Sequence, residues 1–163
     1  MQILVMSDSH RNDYPVKRLL DKYATQVQMA VHLGDCAPDL LQFQADYPHI
    51  TMVAVAGNSD SSPDLEKERV LSLNDSAPCR ILLVHGDQHT VTWNYDRLAY
   101  YAQEKAVHAC LFGHTHVPAN LRVGSVFLFN PGSVSVPRDG SRAGYGLLQI
   151  DAEGNISGEV MEL

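Results

Sequence analysis

Asp8-Ser9-His10, Gly34-Asp35, Gly57-Asn58, His85-Gly86 and Gly113-His114-Thr115-His116 follow one another along the chain, each where an apolar run stops. They supply two carboxylates (Asp8, Asp35), four imidazoles (His10, His85, His114, His116) and one carboxamide (Asn58). That is enough to hold two metal ions close together. A metal pair can make hydroxide from water near neutral pH while neutralising the charge of a phosphate. The donors are oxygen and imidazole nitrogen without thiolate, a set that suits manganese, iron, zinc or nickel, and magnesium less well. A carboxylate is the natural bridge between two cations, and Asp35 is central in the set. Asp8, His10 and His116 then fall to one ion, and Asn58, His85 and His114 to the other. Taken singly, these pairs are weak signals, because Gly-Asp and Gly-Asn are ordinary turn dipeptides and short motifs match by chance. All of them in order, each after an apolar run, carry the reading.

The elements that must position these residues show in the hydrophobic pattern. Residues 2–7 read as a buried strand, 12–28 as a helix with Tyr14, Val16, Leu19, Leu20 and Tyr23 at helical spacing, and 29–33 as a second strand. A helix over 37–47, opened by Pro38, and a strand over 50–56 complete a strand–helix–strand–helix–strand rhythm. Such a rhythm predicts parallel pairing. In the second half, 70–73 and 80–85 read as strands and 93–106 as a helix. Closely spaced strands follow over 109–112, 117–123, 125–129, 144–150 and 156–163, a spacing that suggests antiparallel meanders. The expected whole is an α/β domain over residues 1–163, with two mixed sheets face to face and helices outside. Ligand crevices in open α/β sheets lie at the carboxyl ends of strands, where all seven candidates fall. Asp8 and His10, two apart at a strand end, should project to one side, as should His114 and His116.

Composition narrows the partners. A chain of 163 residues with 45% hydrophobic and 19% charged residues has an ordinary globular mixture. Its net charge of -7 argues against an extended nucleic acid, which needs a basic face, but leaves room for a small anionic phosphoester beside bound cations. No apolar run approaches the roughly 20 residues of a membrane span. The first residues lack the basic flank of a secretory signal, so the expected compartment is the cytoplasm. A homo-oligomer stays open. Cys36, Cys79 and Cys110 form no paired spacing and read as packing residues. His32, His49 and His108 read as structural, His89 as a position on the pocket rim. Trp93, Tyr95, Leu98 and Tyr101 read as a helix face packed on a sheet.

In the chemistry this set could perform, a bridging water with its pKa lowered toward about 7 attacks phosphorus in line. Asn58 and His114 are the candidate catalytic groups, offsetting charge on the phosphoryl oxygens. Arg11, beside His10, and Ser59 are the candidate substrate contacts. A serine hydroxyl supplies a proton to a leaving group less readily than an imidazole does.

In their order, Asp8-Ser9-His10, Gly34-Asp35, Gly57-Asn58-Ser59-Asp60, His85-Gly86 and Gly113-His114-Thr115-His116 resemble the calcineurin-like metallophosphoesterases. Asn130-Pro131-Gly132-Ser133 resembles the small bacterial phosphodiesterase branch, to which the retromer scaffold subunit of eukaryotes is similar in fold. The resemblance spans nearly the whole chain. It implies a four-layer αββα sandwich and a two-metal phosphodiesterase acting on small diesters, commonly manganese-activated, and its ligand pattern agrees with the seven residues above. It also keeps two alternatives in view: a non-catalytic interaction scaffold on the same fold, and a phosphomonoesterase or nucleotidase. Two positions depart from the pattern. Ser59 stands where many members carry His and the small bacterial branch often carries Cys. Asp87 stands where that branch often repeats a His.

Overall fold

The computed structural model describes residues 1–73 and 77–163. Among these residues ten strands form two five-stranded mixed sheets. The first sheet has the order β10-β9-β1-β2-β3, from β1 (Gln2–Met6), β2 (Met29–His32), β3 (Thr51–Ala54), β9 (Gly144–Ile150) and β10 (Ile156–Glu162). The second has the order β4-β5-β6-β8-β7, from β4 (Glu68–Leu73), β5 (Cys79–Val84), β6 (Ala109–Leu111), β7 (Ala119–Val123) and β8 (Val126–Asn130). β1, β2 and β3 pair in parallel, as the alternation with helices predicts.

The second half is less simple than a run of meanders. β4–β5, β7–β8 and β9–β10 are antiparallel neighbours, but β5, β6 and β8 run parallel to one another. The helix α3 (Asp96–Glu104) carries the chain across from β5 to β6, so those strands share a direction. β9 then leaves the second sheet and pairs with β1.

Apolar residues of both sheets meet in a central core that includes Ile3, Val5, Val31, Val53, Ile81, Leu111 and Phe129. The outer face of the first sheet is covered by α1 (Asp13–Tyr23), which turns Val16, Leu19 and Leu20 inward, and by α2 (Pro38–Leu41) through Leu40. The outer face of the second packs on Leu98, Ala99 and Ala102 of α3. The result is the four-layer αββα sandwich. Among the described residues no helix is long and apolar enough to cross a membrane.

All three helices are shorter than the periodicity predicts, α1 ending at Tyr23 rather than at residue 28. α2 is one turn, after which Phe43 and Gln44 bond back three residues to Leu40 and Leu41. The Gln44 side chain donates to the carbonyls of Tyr47 and Ile50 and accepts from the Met52 amide, so it stitches the segment to β3. α3 starts at Asp96 rather than at residue 93: just ahead of it the Asn94 side chain accepts from the Asp96 amide, two residues on, in an Asx turn. Trp93 therefore lies outside α3 with 88% of its surface exposed, not on the packed face expected for it. Tyr95 does pack inward, its ring meeting Phe112 edge-on at 5.2 Å.

Candidate metal centre

All seven predicted ligands meet at one rim, in loops just beyond the carboxyl ends of β1, β2, β3, β5 and β6. Strand alternation is not what aims them. Asp8, His10, Asp35, His114 and His116 all have left-handed backbones, with φ of 56°, 50°, 56°, 66° and 61°. Asp and His tolerate that region better than most residues, yet each such position costs about 1–3 kcal/mol that the surroundings must offset. His114 and His116 consequently do not share a side. They enter different groups.

Asp8, His10, Asp35 and His116 form the first group, with one donor atom from each lying within 4.8 Å of the others. His10 Nε2 is 3.1 Å from His116 Nε2 and 3.7 Å from Asp35 Oδ2. His116 Nε2 is 3.2 Å from Asp8 Oδ1. The second group is Asn58, His85 and His114. Asn58 Oδ1 lies 3.2 Å from His85 Nε2 and 3.0 Å from His114 Nδ1, and those two nitrogens are 3.3 Å apart. Asp35 joins the groups, with Oδ1 3.4 Å from His85 Nε2 and Oδ2 toward His10. The Asp35 carboxylate is the bridge between the two clusters.

Two carbonyls set the faces of the buried rings. Leu33 O, at 2.7 Å, and Val136 O, at 2.5 Å, can only accept, so His85 and His116 each carry their proton on Nδ1. Each ring then turns an unprotonated Nε2 into the cluster, the usual arrangement of a metal-ligating imidazole. Asp8 supports the same conclusion. Its Oδ2 accepts from the Ser7 hydroxyl at 2.6 Å and the His114 amide at 3.1 Å, while Oδ1 is buried and, among the described residues, without a hydrogen-bond partner, although His116 Nε2 stands 3.2 Å away. An orphaned carboxylate oxygen beside two imidazole nitrogens is costly unless a cation sits among them. The donor set fits divalent metal ions.

The charges agree. Burial is the largest influence on Asp8 and pushes its carboxyl up, but the His116 ring, the neighbouring His85 and the Ser7 hydroxyl together hold it below the ordinary value. Burial and the neighbouring His85 lower His114. His116 is raised: burial alone would lower it, and the Asp8 carboxylate and Val136 carbonyl outweigh that.

Several supporting residues carry no motif of their own. Asp60 accepts from the Gly57 amide at 2.9 Å and the Cys36 amide at 3.0 Å, locking the Asn58 loop to the Asp35 loop. It stands inside the Gly57-Asn58-Ser59-Asp60 stretch, so its position was visible although its task was not. Ser133 donates to Asp8 O at 2.7 Å, and Asn130 donates to Gly113 O at 2.9 Å, which gives the Asn130-Pro131-Gly132-Ser133 stretch a bracing role. Arg11 and Ser59 are exposed at the rim. The Ser59 amide donates to Asp35 Oδ1 at 2.9 Å. His89 stacks on Tyr101 at 4.7 Å, away from both groups, beside α3. The structural reading of His49 and His108 holds: His49 reaches Ala24 O at 2.7 Å, and His108 accepts from the Arg80 amide at 3.0 Å.

Residues 1–153 match the model of the calcineurin-like phosphoesterase superfamily domain. The chain belongs to that family. Phosphodiesterase YfcE of Escherichia coli strain K12 is 29% identical over 169 residues, an alignment taking in 93% of this chain and 89% of YfcE. The structure of a Streptococcus pneumoniae TIGR4 protein, a predicted phosphoesterase, superposes with a TM-score of 0.77 at 33% identity, covering 92% of this chain and 83% of that one. Vps29 of Entamoeba histolytica in complex with Zn2+ shares the fold, with a TM-score of 0.76 at 24% identity over 99% of this chain and 98% of its own. Family and site together make this chain a metal-dependent hydrolase of phosphoesters.

Proposed function

We propose that the protein is a two-metal phosphodiesterase acting on small diesters, with manganese as its working ion. The observation that carries this is Asp35, whose two carboxylate oxygens each face a different histidine group. Asp8, His10 and His116 with one Asp35 oxygen would hold one cation; Asn58, His85 and His114 with the other oxygen would hold the second. When bound, such a pair lowers the pKa of water and draws charge from a phosphoryl group. Asn58, with its amide oxygen turned to the second ion, would keep its N–H groups for a phosphoryl oxygen. His114, lowered and therefore neutral at pH 7, presents a donor N–H to charge that builds as the ester breaks. Arg11, exposed beside His10, is the cation placed to meet the substrate's phosphate from outside the cluster.

A diester suits this rim better than a monoester. Asp87 lies close enough for its charge to act on His114, and the whole chain is acidic. A diester brings one negative charge; a monoester near neutral pH brings almost two. Ser59 in place of an imidazole leaves departing alkoxides without a ready proton, which favours esters whose leaving group is already stable. YfcE, a relative across most of the chain, is named a phosphodiesterase. The scaffold alternative gains nothing from Asp8 Oδ1, a buried unpartnered oxygen that an interaction module would have no use for. We further assign a small phosphoester, not a polynucleotide, as the partner, and the cytoplasm as the compartment.

The test is a panel of esters offered to manganese-reconstituted protein, with metal content measured in parallel: bis-p-nitrophenyl phosphate, a cyclic nucleotide and p-nitrophenyl phosphate. Manganese-dependent cleavage of the diesters ahead of the monoester is expected. Protein that binds metal yet cleaves none of them would refute the assignment.

A further inference from the structure

His32, the last residue of β2, is completely buried and belongs to neither ligand group. Its ring nevertheless touches the loops that carry three of the ligands. The Gly34 amide donates to His32 Nδ1 at 3.3 Å, so a neutral ring keeps its proton on Nε2, 3.0 Å from the Ser9 hydroxyl. Ser9 in turn donates its single proton to Asp39 Oδ2 at 2.7 Å, a closer approach than to the carbonyls of Cys36 at 3.3 Å or Asp35 at 3.5 Å. The hydrogen bonds run one way, from Gly34 through His32 and Ser9 to Asp39. Burial drives His32 down to about 4, so the ring is neutral near pH 7 and that direction is fixed.

The relay joins the right segments. Ser9 lies between Asp8 and His10, Gly34 immediately precedes Asp35, and Asp39 sits in the single turn of α2. Among the described residues, the backbone bonds between the stretch 8–10 and the stretch 34–35 are Asp8 N to Gly34 O at 3.0 Å and His10 N to Asp35 O at 3.3 Å. Left-handed residues such as Asp8, His10 and Asp35 persist only where neighbouring groups over-determine them. We propose that His32, Ser9 and Asp39 are positioning residues, a buried relay that holds the Asp8 and Asp35 loops in register and so sets the affinity for the ion of the Asp8, His10, Asp35 and His116 group. The proposal rests on the metal-centre reading above.

Equilibrium dialysis with manganese, together with thermal melting of the metal-free chain, tests it on wild type, Ser9→Ala and Asp39→Ala. Ser9→Ala removes the middle link at almost constant volume. One of the two manganese-binding steps should weaken by about 10- to 100-fold, as when outer partners of metal ligands are removed elsewhere, with a smaller change in the other step. Asp39→Ala, at the half-buried end of the relay, should shift the same step less and serves if Ser9→Ala does not fold. A folded variant that titrates like wild type, even one that melts lower, overturns the relay. Wild type that binds no manganese overturns the metal centre and the relay with it; wild type that binds two ions beside unaltered variants overturns the relay alone.

Discussion

Asp35 is the residue on which the two ligand groups depend. Replacing it with Ala should remove bound manganese and hydrolysis together, read by metal analysis and by turnover of bis-p-nitrophenyl phosphate; full turnover in that variant would contradict the bridge. His114 is different in kind, since it ends one group and faces the solvent side. His114→Ala should lower kcat by about 100- to 1,000-fold, the usual loss when a group stabilising developing charge is removed, and an unchanged kcat would take it out of the reaction. Ser59→His places an imidazole where the family resemblance leads one to expect it. It should speed esters with poor leaving groups by up to about 100-fold more than those with good ones, and an equal gain on both would remove leaving-group protonation from the account.

The loops matter because they cross so closely. Gly57 has an ordinary backbone, but a Cβ there would stand 2.3 Å from both the amide nitrogen and Oδ1 of Asp35. Gly57→Ala should therefore displace Asp35, weaken manganese binding and destabilise the fold by about 1–3 kcal/mol, the common cost of overpacking. Urea unfolding and a manganese titration check this, and a variant matching wild type in both would mean the crossing is not tight. Much of this could be read in the chain itself. The seven candidate positions follow from residue type, order and the ends of apolar runs, and the structure brings their side chains together at one rim. What could not be read is how they are aimed. Spacing of two at a strand end suggested a shared side, but the left-handed backbones of His114 and His116 send the rings to different groups. Periodicity likewise overextended α2, whose following residues are held by the Gln44 side chain to Tyr47, Ile50 and Met52, and placed Trp93 on a helix that begins only at Asp96. Ser9 and Asp60 escaped notice because their partners come from other loops.

Over the whole molecule, two sheets bring five loops from distant parts of the sequence to one edge, and the buried polar layer there couples folding to pH. His32 has a folded pKa of about 4 against about 6.5 for a free ring. Between those values the unfolded chain binds the extra proton, so stability is complete above about pH 6.5 and falls as pH drops toward 4. From pH 7 to pH 5 this one group should cost the metal-free protein ~2 kcal/mol. Denaturant unfolding of wild type and His32→Gln at both pH values isolates it: wild type should lose more stability than the variant, and equal losses would show that His32 is not held neutral. The antiparallel closure by β9 and β10, which returns the chain to β1, was the part of the topology least visible beforehand. Strand spacing alone does not say which sheet a strand joins.

The account stands most directly on where cations go. Crystals grown with manganese, measured at its absorption edge, should show two anomalous peaks per chain on either side of the Asp35 carboxylate, one beside Asp8, His10 and His116 and the other beside Asn58, His85 and His114. A map with no peak among these residues, or with peaks only elsewhere on the molecule, would contradict it.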